Sequence, residues 1–198
     1  MVLPAYIDET SGEITDGEAW VGLSTNDVTG TSTTIISFVT TDDGQVGDWS
    51  QYADLFIVGY ASGIYAADST LWMRYNLNDD ATGGNYLTQE LVGDGSNDSS
   101  SALGATSVSW LPTNQGTAAN LFGAYTAQFF DINSGKYKSS FWATALDGNQ
   151  SYDRSGITAS TWQSQAPITK IELYEPNGFA FVAGSKFSLF GILPRMVA

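Results

Sequence analysis

Apolar and polar positions alternate along most of this chain with the two-residue period of a half-buried strand. Ile35-Ile36-Ser37-Phe38-Val39 lies in a strand expected over Thr33 to Thr40, which Asp42-Asp43-Gly44 ends as a turn. Asp54-Leu55-Phe56-Ile57-Val58-Gly59-Tyr60 is short and apolar on both faces, which suits a central strand of a sandwich. In Leu71-Trp72-Met73-Arg74-Tyr75 the alternation sets Leu71, Met73 and Tyr75 on one face and Trp72 and Arg74 on the other. Asn76 to Asn85 and Gly93 to Gly104, rich in Asn, Asp, Gly and Ser, read as surface loops around a strand near Tyr86 to Val92. Further strands are expected at Thr106 to Leu111, Leu121 to Phe130 and Tyr137 to Ala145. Ile168 to Tyr174 sets Thr169, Ile171 and Leu173 opposite Lys170, Glu172 and Tyr174; Pro176-Asn177-Gly178 then turns the chain, and Phe187 to Ile192 closes the sheet.

That makes about nine short strands, with no stretch of about 12 residues showing a helical period. The class is all-β. Loops of very uneven length and no internal repeat argue against a propeller, a solenoid or an up-and-down barrel, and for a jelly-roll or Greek-key β-sandwich. Before it, residues 1–19 carry Asp8, Glu9, Glu13, Asp16 and Glu18 among few apolar residues and read as an extended N-terminal acidic arm. Residues 20–198 then form a single sandwich domain, a size that can bury a real core.

Charge narrows the partners. Twenty-one acidic residues against seven basic ones give a net charge of −14, a field that repels phosphate backbones and anionic lipid heads. No nucleic-acid or membrane binding is expected. With no His and no Cys, the chain cannot build a Ser-His-Asp triad, a Cys nucleophile, a Cys/His zinc site or a disulfide. The opening Met-Val-Leu-Pro-Ala-Tyr-Ile-Asp-Glu lacks the basic flank and apolar run of a signal peptide, so synthesis in a cytoplasm is expected. Asn97-Asp98-Ser99 and Asn149-Gln150-Ser151 match the glycosylation sequon and are read as chance.

Paired carboxylates are the catalytic device this composition still permits. They do not converge: Asp42, Asp43, Asp79, Asp80, Asp94, Asp98, Asp147 and Asp153 fall in turns, and Glu172 alone lies inside a clear strand, between Lys170 and Tyr174. Asn76-Leu77-Asn78-Asp79-Asp80 and Asp94-Gly95-Ser96-Asn97-Asp98 offer oxygen ligands of the kind calcium takes, yet neither has the EF-hand frame, and Asx-rich loops form turns without metal. Trp49, Trp72, Trp110, Trp142 and Trp162 could form sugar-stacking platforms; scattered beside strand-like sequence, they read as core or subunit-interface residues. No cofactor and no metal are expected.

Three segments together resemble a jelly-roll-like domain of tailed-bacteriophage virion proteins. Tyr52 to Gly59, then Leu71-Trp72-Met73-Arg74-Tyr75-Asn76, then Asn85-Tyr86 are similar to the family's paired strands with Arg-Phe-Asn, Asp and Asn-Tyr. Ile168-Thr169-Lys170-Ile171-Glu172-Leu173 running to Phe181-Val182-Ala183-Gly184-Ser185-Lys186-Phe187-Ser188-Leu189-Phe190-Gly191-Ile192 is similar to its closing hairpin, with Phe190 where the family often has Tyr and with a longer loop over residues 78–84. The resemblance covers roughly Tyr52 to Ile192. In the motif itself, Gly184 permits a tight turn, Ser185 can bond neighbouring backbone, and Phe187 and Leu189 are expected to pack inward.

The resemblance implies a virion structural protein and no enzyme. Its compact size favours a capsid cement or decoration protein on the outer surface of the head, partnered by the major capsid protein and by itself as a homotrimer. Tyr6 and Ile7 of the arm would anchor it to the capsid, and Trp72 and Phe190 would lie in the core or between protomers. The alternative is a tail-fibre or head-fibre adhesin for host surface glycans; a virion-associated depolymerase is the enzymatic reading.

Overall fold

In the computed structural model the described residues are 20–30, 33–63, 71–93, 98–103, 108–111, 122–146, 154–176 and 178–193, with the backbone alone described at 71–72, 98–99, 101–103, 108–111, 146 and 154. They form β1 (Trp20–Asp27), β2 (Ile35–Val39), β3 (Asp54–Ala61), β4 (Leu71–Leu77), β5 (Tyr86–Gly93), β6 (Asp98–Leu103), β7 (Val108–Leu111), β8 (Gly123–Phe130), β9 (Lys138–Leu146), β10 (Arg154–Trp162), β11 (Lys170–Tyr174) and β12 (Lys186–Ile192). Two single 3-10 turns, Trp49–Gln51 and Gly83–Asn85, are the helical elements among them. None of these is long and apolar enough to cross a membrane.

The strands build two antiparallel sheets, ordered β1-β12-β3-β8-β9-β10-β5-β6 and β2-β11-β4-β7. The architecture is a β-sandwich. With the hairpins β5–β6 and β9–β10 set aside, four strands remain in each layer, and the chain crosses between layers at every step except β4 to β7, a jelly-roll-like wrapping. The two hairpins pair with each other through β10 and β5, and so widen one layer to twice the other.

The expected alternation places side chains as it should. Ile36 and Phe38 of β2, Met73 and Tyr75 of β4, Ile171 and Leu173 of β11, and Phe187 and Leu189 of β12 all point into one core drawn from both layers. Three strands depart from expectation. Asp98–Leu103, expected within a loop, is the edge strand β6, whose Asp-Ser-Ser-Ser run pairs on one side only, with β5. Arg154–Trp162 and Trp20–Asp27, not foreseen as strands, are β10 and β1. Ser, Thr, Gly and Ala fill most of β10, so no apolar alternation marks it; it is a strand because β9 and β5 pair with it on both sides.

Aromatic stacking holds the centre. Trp142 lies flat on Tyr75, 5.1 Å between centroids, and Phe129 meets both rings edge-on at 5.7 and 5.2 Å. Two strand glycines make room for such rings: a Cβ on Gly59 would lie 1.8 Å from the Tyr125 ring, and one on Gly191 would lie 2.4 Å from that of Tyr52.

Candidate functional site

Of the carboxylates that sequence nominates for chemistry, Asp43 and Asp80 hold turns, and Asp79 and Glu172 lie in ion pairs. Glu172 and Asp79 both pair with Lys170, at 2.7 and 2.6 Å. Asn78 Oδ1 accepts from the Thr169 and Lys170 amides at 2.8 and 3.0 Å, while its Nδ2 donates to the Pro167 carbonyl at 2.7 Å. Asp80 accepts from Trp162 Nε1, Asn85 Nδ2 and the Thr82 amide at 2.8, 2.8 and 3.0 Å. Desolvation opposes its ionisation, but these three donors outweigh it and hold the Asp80 carboxyl down at about 2. Asn78, Asp79 and Asp80 thus form an Asx-rich turn held by protein donors, whereas Asn76 lies in β4 with its Oδ1 buried and without a hydrogen-bond partner among the described residues. Among the described residues no group of three or more acidic side chains could hold a metal ion. Residues 94–97, 147 and 153 lie outside the described residues, and Asp98 is described in its backbone alone.

The tryptophans divide. Trp49, Trp142 and Trp162 are buried and serve the core. Trp72 stands opposite Trp110 in the β4–β7 register, with both side chains outside the described residues. Tyr6 and Ile7 lie outside them as well. Phe190 is not in the core: β12 turns Phe187, Leu189 and Gly191 inward, which leaves Phe190 half-buried on the outer side, 6.4 Å from the Trp20 ring.

That outer side carries the exposed apolar side chains of the wide sheet among the described residues. Across the wide sheet, Phe190, Phe56, Gln128, Phe141, Ala159 and Gln89 form one outward row, and Ser188, Val58, Thr126, Ala143, Ile157 and Leu91 the next. Phe141, Ile157 and Leu91 are 43, 46 and 52% exposed. Trp20 packs edge-on against Phe56 at 4.5 Å, which raises an aromatic ridge over β1, β12 and β3. On the other half, a hollow of about 570 Å³ is lined by Leu91, Ala143, Ile157 and the backbone beside Gly93 and Gly156.

Charge is nearly absent there. On the outward positions of β12, β3, β8, β9, β10 and β5 the charged side chains are Lys186 and Asp54, at opposite ends of the paired strands. Lys186 pairs with Asp27 at 3.2 Å; Asp54 accepts from Gln128 Nε2 and the Asp131 amide, each at 2.8 Å. Six strands about 4.8 Å apart and about seven residues long at 3.3 Å each span roughly 29 by 23 Å. That is a face of about 670 Å² in which Phe56, Val58, Phe141, Ile157 and Leu91 stand among Gln128, Thr126, Ser188 and Gln89.

Sequence reasoning missed this face, though a signal existed. Asp54–Tyr60 is apolar on both faces, yet a two-layer sandwich covers only one of them, so Phe56, Val58 and Tyr60 had to face outward. No protein-family model matches the sequence, and no curated protein is significantly similar to it.

Proposed function

We propose that this chain is a non-catalytic structural protein of a tailed-bacteriophage virion, a cement or decoration protein that binds the outer surface of the capsid and bridges its subunits. The observation that carries the reading is the broad sheet face with few charges and many exposed apolar side chains, which suits a protein that acts by contact with other proteins. The closing segment that resembles the virion family supports it from the side of the fold. Gly184 takes φ +95°, and the buried Ser185 hydroxyl bonds the Ser62 amide and carbonyl at 3.1 and 3.2 Å, which locks the turn to the end of β3. Stabilisation of a shell then follows from mass action, since a protein that binds assembled subunits and not separated ones favours assembly. The acidic surface suits the outside of a head better than contact with packaged DNA.

The test is the copy number of the chain relative to the major capsid protein in purified virions, by quantitative mass spectrometry, with its position found by cryo-electron microscopy. Copies in the hundreds over the shell are expected. A few tens at one vertex or the tail would overturn the cement reading in favour of an adhesin, and absence from virions would overturn both.

A further inference from the structure

We infer that the open side of the sandwich between β1 and β2 is a docking seam for the chain's own N-terminal arm, which lies there as an added strand with the Tyr6 ring in the cavity beneath. The docking needs nothing from the virion reading. Three observations select this occupant.

The first is the backbone. β1 and β2 stand at the ends of their sheets, and among the described residues β1 pairs with β12 alone and β2 with β11 alone. The Thr40 amide donates to the Thr169 carbonyl at 2.9 Å, so by the two-residue period of an antiparallel pair Phe38 and Ile36 bond β11, while Ser37 and Val39 turn their N–H and C=O groups to the open side. From β1 the Asn26 side chain reaches across and donates Nδ2 to the Ser37 carbonyl at 3.3 Å, the place that a neighbouring strand's N–H would take. Edge groups in such a row recognise extended polypeptide, as in strand addition, and give a helix or a sugar no matching ladder.

The second is the cavity. Between the two edges lies a hollow of about 250 Å³, with the buried Phe38, Trp49 and Leu189 at its depth and Asn26, Ser37 and Thr41 at its mouth. It has room for one aromatic ring, since a cavity of about 150 Å³ already takes benzene, and no charged side chain lines it. An apolar depth below hydroxyl and amide groups suits a tyrosine, whose ring is apolar and whose hydroxyl needs a hydrogen-bond partner. The third is the arm itself, residues 1–19, outside the described residues. Tyr6 is its one aromatic residue and stands in the uncharged run Val2-Leu3-Pro4-Ala5-Tyr6-Ile7, apart from the acidic residues at 8–18. From Tyr6 to Trp20 the chain spans up to about 46 Å at about 3.3 Å per residue, against about 20 Å from Trp20 to Asn26 along β1, so the arm reaches the cavity of its own molecule. The tether holds it there at an effective concentration of about millimolar, which a second copy's arm at micromolar concentration does not match. Held there, the arm is withheld from any other partner until it leaves the seam.

Because the chain has no Cys, disulfide trapping in the full chain at about 1 μM reads the docking directly. Ala5→Cys is combined with Val39→Cys, at an exposed position that lines the cavity. A cross-link within one chain is expected, running as a monomer on a non-reducing gel, and adding Tyr6→Ala should slow it about tenfold. Ile157→Cys in place of Val39→Cys, on the outer side of the wide sheet, should cross-link no faster than the Tyr6→Ala form. A second measurement needs no Cys: Ser24→Trp, which fills the cavity from β1, should let chymotrypsin cut after Tyr6 about tenfold faster than in the native chain, with the circular dichroism unchanged. A cross-link between chains, which would put a second copy's arm in the seam, would overturn the docking. So would a rate that Tyr6→Ala leaves unchanged, or cleavage after Tyr6 that Ser24→Trp leaves unchanged. None of these outcomes bears on virion copy number, so the two proposals fail separately.

Discussion

Under β12, β3 and β8 the inward residues of the wide sheet are Phe187, Leu189, Leu55, Ile57, Tyr125 and Phe129, an apolar filling. Under β9, β10 and β5 they include Ser140, Thr144, Thr158, Ser160, Thr88 and Glu90, which are buried too. The outer side of that second half carries Phe141, Ile157, Leu87 and Leu91. Trp142, Trp162, Tyr86 and Val92 share the inner side, so polar and apolar side chains are mixed there where the usual rule for a covered face expects apolar ones. The first half is held by burial of apolar area, whereas hydrogen bonds such as Tyr75–Ser140 at 2.9 Å and Thr88–Ser160 at 3.2 Å tie the second together. A sheet can therefore be divided along its width between an apolar inner filling and a mixed one, while its outward apolar positions run across both halves.

The strongest challenge to this division is Trp142→Ala. Trp142 is the aromatic residue on the inner side of β9 where the two halves meet, and its ring touches Tyr75, Phe129 and Tyr125. A loss of about 3–5 kcal/mol is expected in urea denaturation. A loss under about 1 kcal/mol would mean that the halves are not joined by this stack.

Next comes Thr88→Val, which keeps shape and removes the Thr88–Ser160 hydrogen bond. It should cost about 1–2 kcal/mol, and adding Ser160→Ala should cost little more, because both changes remove one bond. Full additivity in that cycle would show that the hydroxyls do not act as a pair.

Asp80 gives the division a pH dependence, because its bond to Trp162 fastens the end of β10. Its carboxyl ionises at about 2 in the folded chain against an ordinary 3.8, so folding favours the charged form. The stability it contributes is present above about pH 4 and is lost as pH falls toward 2. Thermal midpoints of the native chain should drop across that window more steeply than those of Asp80→Asn. Parallel curves would sever Asp80 from the stability of this half.

The smallest effect is expected from Tyr125→Phe on the apolar side. The Tyr125 hydroxyl is buried without a hydrogen-bond partner among the described residues, and burial pushes its pKa well up. Its removal should raise stability by up to about 1 kcal/mol, since an unpaired buried hydroxyl costs desolvation with nothing returned. A loss instead would reveal a partner for that group.

Much of the sandwich was legible because its covered strands obey a period of two. Ile171 with Leu173, and Phe187 with Leu189, announce their inward face from spacing alone. The strands β6 and β10 were not legible, since Ser, Thr, Gly and Ala leave no apolar pattern, and their pairing is decided by neighbours distant in the chain. The candidate surface was hidden for a related reason. Phe56, Phe141, Ile157 and Leu91 come from four strands spread over more than a hundred residues, and only the registers of β3, β8, β9, β10 and β5 make them one face. Phe190 shows the limit most clearly: spacing ties it to the opposite side from Phe187 and Leu189, but not to Trp20.

By itself the sequence determined the all-β class, the alternation that sets each recognisable strand's inner face, the acidic balance, and the chemistries closed to a chain without His or Cys. Those properties are local or additive, so they survive without knowledge of which strand lies beside which. The tertiary structure decided the strand order, the widening of one layer by two hairpins, the commitment of Asn78, Asp80 and Glu172 to turns and ion pairs, and the gathering of apolar residues into an uncovered face. Each of these depends on pairing between residues far apart in the chain, which is fixed only when the whole core is buried at once.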